Sequence, residues 1–156
     1  MTEASRNSNS TVNLEKIRKL LVKGNISTAL RLLESKPLND WDSPSIVELK
    51  GDILFKLKKY DEALVSYSKF IESSDDKMRR LLKIANVKRL MGKFSSAVKD
   101  YNILLKTYPE NAALLNSLGN SYKEMNDTDK ALDFYERAIL LDKNHIGAHF
   151  NKGLIL

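Results

Sequence analysis

Apolar residues recur along this chain at steps of three and four, and short polar stretches interrupt them. Leu114, Leu118 and Tyr122 follow one another at this spacing. The polar stretch 126–129 then breaks the series, and a second apolar series begins at Ala131. Steps of three and four place side chains on one side of an α-helix, and short polar side chains favour turns. The pattern therefore predicts two antiparallel helices that are joined by a short turn.

The same pair of predicted helices recurs four times with a period of 34 residues. Three columns show the period most clearly: Ala29, Ala63, Ala97 and Ala131; Leu33, Tyr67, Tyr101 and Tyr135; and Ile17, Gly51, Ala85, Gly119 and Gly153. Small side chains let two helices approach closely, and a neighbouring aromatic ring then fills the remaining space. We therefore predict that the tyrosines pack in the core and do not form a stacking surface for nucleic-acid bases. A further column holds polar side chains that are able to cap helix starts, namely Ser27, Asp61, Ser95 and Asp129.

The chain resembles the tetratricopeptide repeat family in its period and in its residue types. The segment 118–122, Leu-Gly-Asn-Ser-Tyr, is followed by Ala131 and Tyr135, as in the family's 34-residue pattern. The resemblance implies an all-α fold, a tetratricopeptide helical-hairpin solenoid that forms a right-handed superhelix of about four repeats plus a terminal half-repeat helix. The predicted organisation is a disordered N-terminal tail at 1–9, a degenerate, N-capping repeat 1 at 10–43, repeat 2 at 44–77, repeat 3 at 78–111, repeat 4 at 112–145 and the first helix of an incomplete repeat 5 at 146–156.

The composition argues against catalysis. The chain has no Cys and only two His, His145 and His149, and it contains no glycine-rich phosphate loop and no His-Glu-x-x-His zinc motif. We therefore predict no enzymatic activity, no metal site and no cofactor. No apolar run approaches the roughly 20 residues that cross a membrane, and the polar segment 1–10 lacks the apolar core of a secretory signal. These features favour a cytoplasmic protein that does not contact membranes.

The net charge of +6 is concentrated in repeat 3. Residues 78–111 contain eight Lys or Arg against two Asp or Glu, a net +6, whereas repeats 2 and 4 are each net negative. A uniformly basic solenoid would favour nucleic acid, but one basic repeat between acidic repeats favours an acidic peptide segment. Arg79, Lys83 and Asn86 follow at steps of four and three, so they share one side of a first helix. We predict a protein or peptide partner that is acidic and extended.

The family resemblance also implies where such a partner binds. In tetratricopeptide proteins the first helix of each repeat lines a concave groove, which holds an extended peptide or a partner helix. The groove residues implied for this chain are Leu49, Asp52, Arg79, Leu82, Lys83, Asn86, Arg89, Asn116 and Asn120. One family variant clamps the terminal carboxylate of chaperones, but Leu14, Arg18 and Leu49 occupy positions of that clamp here. A complete clamp is therefore not predicted.

These observations predict a non-enzymatic protein–protein interaction module or scaffold. One alternative is the N-terminal targeting or substrate-recruiting arm of a larger multidomain protein, such as a transferase. A less supported alternative is an RNA-binding helical-repeat protein, which the acidic repeats 2 and 4 disfavour. Leu154, Ile155 and Leu156 form an apolar end of the predicted helix at 146–156. We expect them to mediate self-association, which would give a homodimer through the C-terminal end.

Overall fold

The computed structural model describes residues 14–35, 43–69 and 77–155 of the protein. All regular secondary structure in these ranges is α-helical, so the predicted all-α fold is confirmed. The tail predicted at 1–9 and Leu156 lie outside the described residues. The helices are α1 over 14–22, α2 Ile26–Glu34, α3 Pro44–Lys56, α4 Tyr60–Ser68, α5 Lys77–Leu90, α6 Phe94–Thr107, α7 Ala112–Glu124, α8 Thr128–Leu141 and α9 Ile146–Gly153.

Each described hairpin turn contains one residue with a positive φ. These residues recur every 34 positions, with φ of 75° at Gly24 and Gly92 and 60° at Lys58 and Asn126. The amide of the next residue donates to the carbonyl five positions earlier, for example Lys59 N to Leu54 O at 2.9 Å. This closure satisfies carbonyls at the helix end and requires a left-handed residue. It also fixes where the second helix begins, so the starts of α2, α4, α6 and α8 lie 34 residues apart.

The predicted column of helix caps was wrong. Ser27, Asp61, Ser95 and Asp129 lie in the first turns of their helices, and the N-cap residues are Asn25, Lys59, Lys93 and Asp127. The left-handed residue of each turn determines this start, because the residue directly after it takes the N-cap position. Of these four, Asp127 alone caps with its side chain, which accepts from Lys130 N at 3.3 Å.

The tyrosine column packs in the core, as predicted. Tyr67, Tyr101 and Tyr135 are at most 2% exposed. A Cβ at Gly119 would come within 2.5 Å of Tyr135 Cε1, and a Cβ at Gly51 within 2.5 Å of Tyr67 Cε1. The tyrosine ring thus occupies the space of the missing side chain, and the close helix approach depends on the glycine.

The chain divides between Ser74 and Asp75 into an N-terminal unit that holds α1–α4 and a C-terminal unit that holds α5–α9. In the C-terminal unit the first helices α5, α7 and α9 are neighbours, and the second helices α6 and α8 pack against them. The core of this unit includes Ala85, Tyr101, Leu104, Leu114 and Leu118. Across the described ranges, every helix is too short or too polar to cross a membrane.

Candidate functional site

Seven of the nine predicted groove residues lie on two neighbouring helices of the C-terminal unit. Arg79 is exposed and the other six are partly exposed, so all seven side chains reach solvent. We call this surface the α5–α7 face; its residues are Arg79, Leu82, Lys83, Asn86 and Arg89 on α5 and Asn116 and Asn120 on α7. The remaining two predicted residues, Leu49 and Asp52, lie on α3 in the N-terminal unit.

Two buried tyrosines of the second helices reach the α5–α7 face through their hydroxyl groups. Tyr101 Oη donates to Asn86 Oδ1 at 2.6 Å, and Tyr135 Oη donates to Asn120 Oδ1 at 2.8 Å. We call this repeated bond the tyrosine latch. Each amide keeps its Nδ2 group, which carries two N–H donors, and no described residue accepts from either Nδ2. The latch therefore fixes each Asn side chain while its donors stay available to a partner.

The protonation of the latch hydroxyls is set mainly by burial. Burial raises the pKa of Tyr135 to about 12, and the charge of Arg89 opposes this rise. Burial also raises the pKa of Tyr101, again against the nearby Arg89 guanidinium. Both hydroxyls are therefore protonated at neutral pH and act as donors.

Arg89 is a partly buried cation that lies near both latch hydroxyls. Its Nε is buried without a hydrogen-bond partner, and no carboxylate of the described residues forms an ion pair with it. The adjacent Lys88, by contrast, forms an ion pair with Asp100. Charged groups are rarely removed from water without a partner. The described part of the chain therefore does not supply the countercharge that Arg89 requires.

Asn116 connects the α5–α7 face to α9. Its Oδ1 accepts from Asn151 Nδ2 at 3.1 Å, which ties α7 to α9. On α5, Leu82 is partly buried against the core of the C-terminal unit. The face thus combines cations, amide donors and one apolar side chain on helices that the core holds in place.

The other two predicted residues have a different environment. Asp52 Oδ1 accepts from Tyr67 Oη at 2.8 Å, which forms the same latch with a carboxylate in place of an amide. Leu49 and Asp52, with Leu21, Ile53, Phe55 and Lys56, line a cleft of about 280 Å³. Glu48 of the same helix is buried. The cleft of the N-terminal unit therefore combines apolar side chains with one carboxylate, Asp52, and one cation, Lys56.

The predicted self-association residues follow α9, where Leu154 is 61% exposed and Ile155 is partly buried. Sequence reasoning missed two further exposed apolar residues of this helix, Ile146 at 83% and Phe150 at 65%. Ile146, Phe150 and Leu154 follow at steps of four and so share one side of the helix; we call them the α9 stripe. The 34-residue period could have identified Phe150, because it lies 34 residues after the predicted groove residue Asn116.

The described residues contain no group of three or more His, Cys, Asp or Glu that is arranged to hold a metal ion. The chemistry that the α5–α7 face offers is therefore hydrogen bonding, charge and apolar contact.

Comparison with solved structures shows the fold of the chain. It resembles MamA 41-end from Desulfovibrio magneticus RS-1 with a TM-score of 0.77 and 18% identity, over 94% of this chain and 82% of that one. It resembles the first TPR of Spaghetti (RPAP3), a structure bound to the HSP90 peptide SRMEEVD, with a TM-score of 0.64 and 23% identity, over 74% of this chain and 91% of that one. At these identities the likeness concerns the fold alone.

Curated relatives are much longer than this chain. Superkiller complex protein 3 of Homo sapiens is 26% identical over 121 residues, which cover 73% of the chain and 7% of that protein. Protein CTR9 homolog of Arabidopsis thaliana is 26% identical over 117 residues, which cover 74% of the chain and 11% of that protein. The chain thus spans roughly a tenth of the length of these relatives.

Family patterns match almost the whole sequence. A tetratricopeptide repeat-like domain matches residues 2–89, and tetratricopeptide repeats match residues 81–111 and 112–145. These matches agree with the 34-residue hairpins, the left-handed turns and the packed tyrosine column. The chain therefore belongs to the tetratricopeptide repeat family.

Proposed function

We propose that this protein is a non-enzymatic interaction module that binds an acidic, extended peptide segment on the α5–α7 face. The observation that carries the proposal is Arg89, a partly buried cation without a countercharge among the described residues. A carboxylate of a bound peptide would supply that charge. Arg is well suited to this contact because its planar guanidinium donates two parallel hydrogen bonds to one carboxylate.

The latch asparagines add a second kind of contact. An extended peptide presents backbone carbonyl oxygens that need donors when they leave water. Asn86 and Asn120 lie on neighbouring helices, and each holds its Nδ2 group toward a partner because the latch fixes its Oδ1. These amides would therefore bind the peptide backbone without regard to its side chains, while Arg89 selects for an acidic residue.

Arg79 and Lys83 would act mainly on the rate at which the peptide associates. Arg79 is exposed and Lys83 is partly exposed, so both remain in contact with water and salt. Charges at the rim of an interface mainly raise the association rate, and they lose effect as salt increases. Arg79 and Lys83 would steer an acidic segment to the face, whereas Arg89 would hold it there.

A structural relative supports this choice of ligand. The RPAP3 repeat structure holds the HSP90 peptide SRMEEVD, whose sequence contains two Glu and one Asp. In the present chain, the contact with an acidic residue would be made by Arg89, which lies beside two tyrosine latches.

The proposal can be tested with a short fluorescein-labelled peptide of Asp, Ser and Gly and a matched peptide with Asn at every Asp. Fluorescence anisotropy should show tighter binding of the Asp peptide, and the difference should shrink as salt rises. Arg89→Gln should weaken binding of the Asp peptide by about tenfold or more, since a hydrogen bond to a charged group contributes about 1.5–3 kcal/mol. Circular dichroism and urea denaturation should confirm that the variant still folds, because it also removes the hydrogen bond between the Arg89 guanidinium and Tyr101.

Lys106→Gln is the matched control, because Lys106 is exposed on the second helix α6 and the variant loses the same charge. It should leave the affinity for the Asp peptide nearly unchanged. Equal weakening by both variants would mean that only the net charge matters and would contradict the proposed site. Tighter binding of a single-stranded RNA of similar length, lost equally in Arg89→Gln, would instead favour the RNA-binding alternative.

A further inference from the structure

The α9 stripe presents three large apolar side chains to solvent in the C-terminal unit. Ile146, Phe150 and Leu154 are 83%, 65% and 61% exposed. They follow at steps of four along the chain and therefore form one continuous apolar strip on the helix surface. Contiguous exposed apolar surface of this kind marks interaction sites more often than a scattered single residue does.

The repeat register relates this strip to the α5–α7 face. Phe150 occupies the repeat position of Leu82 and Asn116, and Leu154 occupies the position of Asn86 and Asn120. Since α7 lies beside both α5 and α9, equivalent positions on the three helices form adjacent rows. The α9 stripe thus continues the α5–α7 face by one more helix.

The stripe is distinct from the surface on which second helices pack. Tyr135 of α8 lies against Gly119, and the equivalent residue of α9 is Gly153, where an added Cβ would meet no atom within 4 Å. Phe150 and Leu154 lie at other positions of the register. They therefore lie on the side of α9 that is equivalent to the side of α7 carrying the partly exposed Asn116 and Asn120.

The chemistry of this surface changes from one helix to the next. Helix α5 carries the cation Arg89, α7 carries the amides Asn116 and Asn120, and α9 carries apolar side chains. Lys152, the cation within α9, forms an ion pair with Glu136 of α8, so the stripe itself adds no charge to the surface. A ligand that complements all three rows must be acidic at one end and apolar at the other.

The spacing of the helices sets the distance between these two ligand groups. Packed helices lie about 8–10 Å apart, so α5 and α9, two steps apart, are separated by about 16–20 Å. An extended peptide advances about 3.3 Å per residue. We propose that the partner is an extended segment in which a large apolar residue, Phe or Leu, lies about five or six residues from an acidic residue, the acidic side chain on Arg89 and the apolar one on the α9 stripe.

This inference rests on the proposed function, and the test separates the two. The probes are labelled peptides of Ser and Gly that contain one Asp alone, or Asp and Phe about five residues apart, or Asp and Phe as near neighbours. The widely spaced peptide should bind the wild-type chain about tenfold more tightly than the peptide with Asp alone. The closely spaced peptide should gain little, because its Phe cannot reach the stripe while its Asp occupies Arg89.

Phe150→Ser should remove the advantage of the widely spaced peptide and leave the affinity for the Asp-only peptide unchanged. Leu140→Ser is the matched control, because Leu140 is 77% exposed on α8, and it should change neither affinity. Circular dichroism should show that both variants keep their helix content, since each replaced side chain is mostly exposed.

Three results would overturn the inference. The first is an equal affinity of the wild-type chain for the Asp-only and the widely spaced peptides. The second is a Phe advantage that persists in Phe150→Ser. The third is a concentration-dependent dimer that Phe150→Ser abolishes and that excludes the widely spaced peptide, because a second copy of the chain would then occupy the stripe. Failure of every peptide to bind the wild-type chain would instead refute the proposed function itself.

Discussion

The N-terminal and C-terminal units build the same tyrosine latch from different acceptors. Tyr67 Oη donates to a carboxylate oxygen of Asp52, whereas Tyr135 Oη donates to an amide oxygen of Asn120, and both distances are 2.8 Å. The geometry of the hairpin is therefore indifferent to the charge of the acceptor. The charge of the surface does depend on the acceptor, because the acceptor side chain is partly exposed on the first helix in both units.

This difference separates the part of the repeat that specifies the fold from the part that specifies the ligand. The small residue, the tyrosine and the left-handed turn recur in both units and determine the hairpin. The acceptor position tolerates Asp or Asn and determines whether it carries a negative charge or amide donors. An acidic peptide would meet amide donors and Arg89 on the α5–α7 face, whereas the equivalent acceptor Asp52 on α3 offers no amide donor.

The largest expected effect concerns the part that both units share. Gly119→Val places a branched side chain in space that the Tyr135 ring already fills, because a Cβ at residue 119 would lie 2.5 Å from Tyr135 Cε1. Overpacking of this kind should lower the free energy of unfolding by about 3 kcal/mol, measured by urea denaturation. Gly51→Val should do the same through Tyr67 in the N-terminal unit.

Gly153→Ala is the control for this steric argument, because Gly153 occupies the same column without a neighbour within 4 Å. It should leave the stability unchanged or raise it slightly, since Ala favours helix over Gly. A loss below about 1 kcal/mol in Gly119→Val would contradict the role of the small-residue column.

Alkaline pH should destabilise the latches. Burial raises the pKa of Tyr135 from the ordinary value of 10.0 to about 12, so the native state retains a proton that the unfolded state loses. The stabilisation is complete below pH 10 and is lost as pH rises from 10 to about 12. By linkage, this pKa difference corresponds to a loss of at most about 2.7 kcal/mol of unfolding free energy.

Urea denaturation at a series of pH values, with tyrosinate absorbance as a second measurement, would check this pH dependence. Tyr135→Phe removes one ionisable group and should reduce the loss between pH 10 and 12, while Tyr101, whose pKa is also raised, continues to contribute. An identical alkaline loss in the wild-type chain and in Tyr135→Phe would show that another group causes it.

Exchanging the latch acceptors would test the comparison between the units directly. Asn86→Asp and Asn120→Asp should keep the latch, as Asp52 does in the N-terminal unit. They should weaken binding of the labelled Asp peptide by about tenfold, or about 1.4 kcal/mol, because a carboxylate repels the ligand and removes the Nδ2 donors. Asp52→Asn should not change that affinity, and a comparable change there would assign peptide binding to the N-terminal unit.

Much of the fold was predictable from sequence because its determinants are local. The 34-residue period, the helix pairs and the burial of Tyr67, Tyr101 and Tyr135 follow from side-chain spacing and size. The helix caps were predicted wrongly, because the left-handed residue of each turn determines the helix start and its φ is not visible in the pattern. Lys58, in particular, carries no sequence signal for a left-handed backbone.

The chemistry of the candidate site was less predictable. Charge counting identified the basic repeat, and the family resemblance placed Arg89 but not Lys88 in the groove, but neither indicated which of the two cations has a carboxylate partner. The structure distinguishes them, because Asp100 of α6 pairs with Lys88, while Arg89 lies beside the hydroxyls of Tyr101 and Tyr135. Such differences arise from contacts between helices that are distant in sequence, so no local pattern encodes them.

The smallest expected effect concerns the turns, where the units again differ in one residue at an equivalent position. Lys58 has a φ of 60°, whereas Gly92 closes the equivalent turn of the C-terminal unit with a φ of 75°. A left-handed backbone costs a residue with a Cβ about 1 kcal/mol, and glycine avoids this cost but gains freedom in the unfolded chain. Lys58→Gly should therefore raise the free energy of unfolding by about 0.5–1 kcal/mol, measured as a higher urea midpoint at unchanged slope.

Asn126→Gly should give a smaller gain in the free energy of unfolding, because Asn tolerates this conformation better than Lys does. Gly92→Lys should lose about as much stability as Lys58→Gly gains. A lower midpoint for Lys58→Gly would mean that the side chain of Lys58 stabilises its turn by more than the backbone cost.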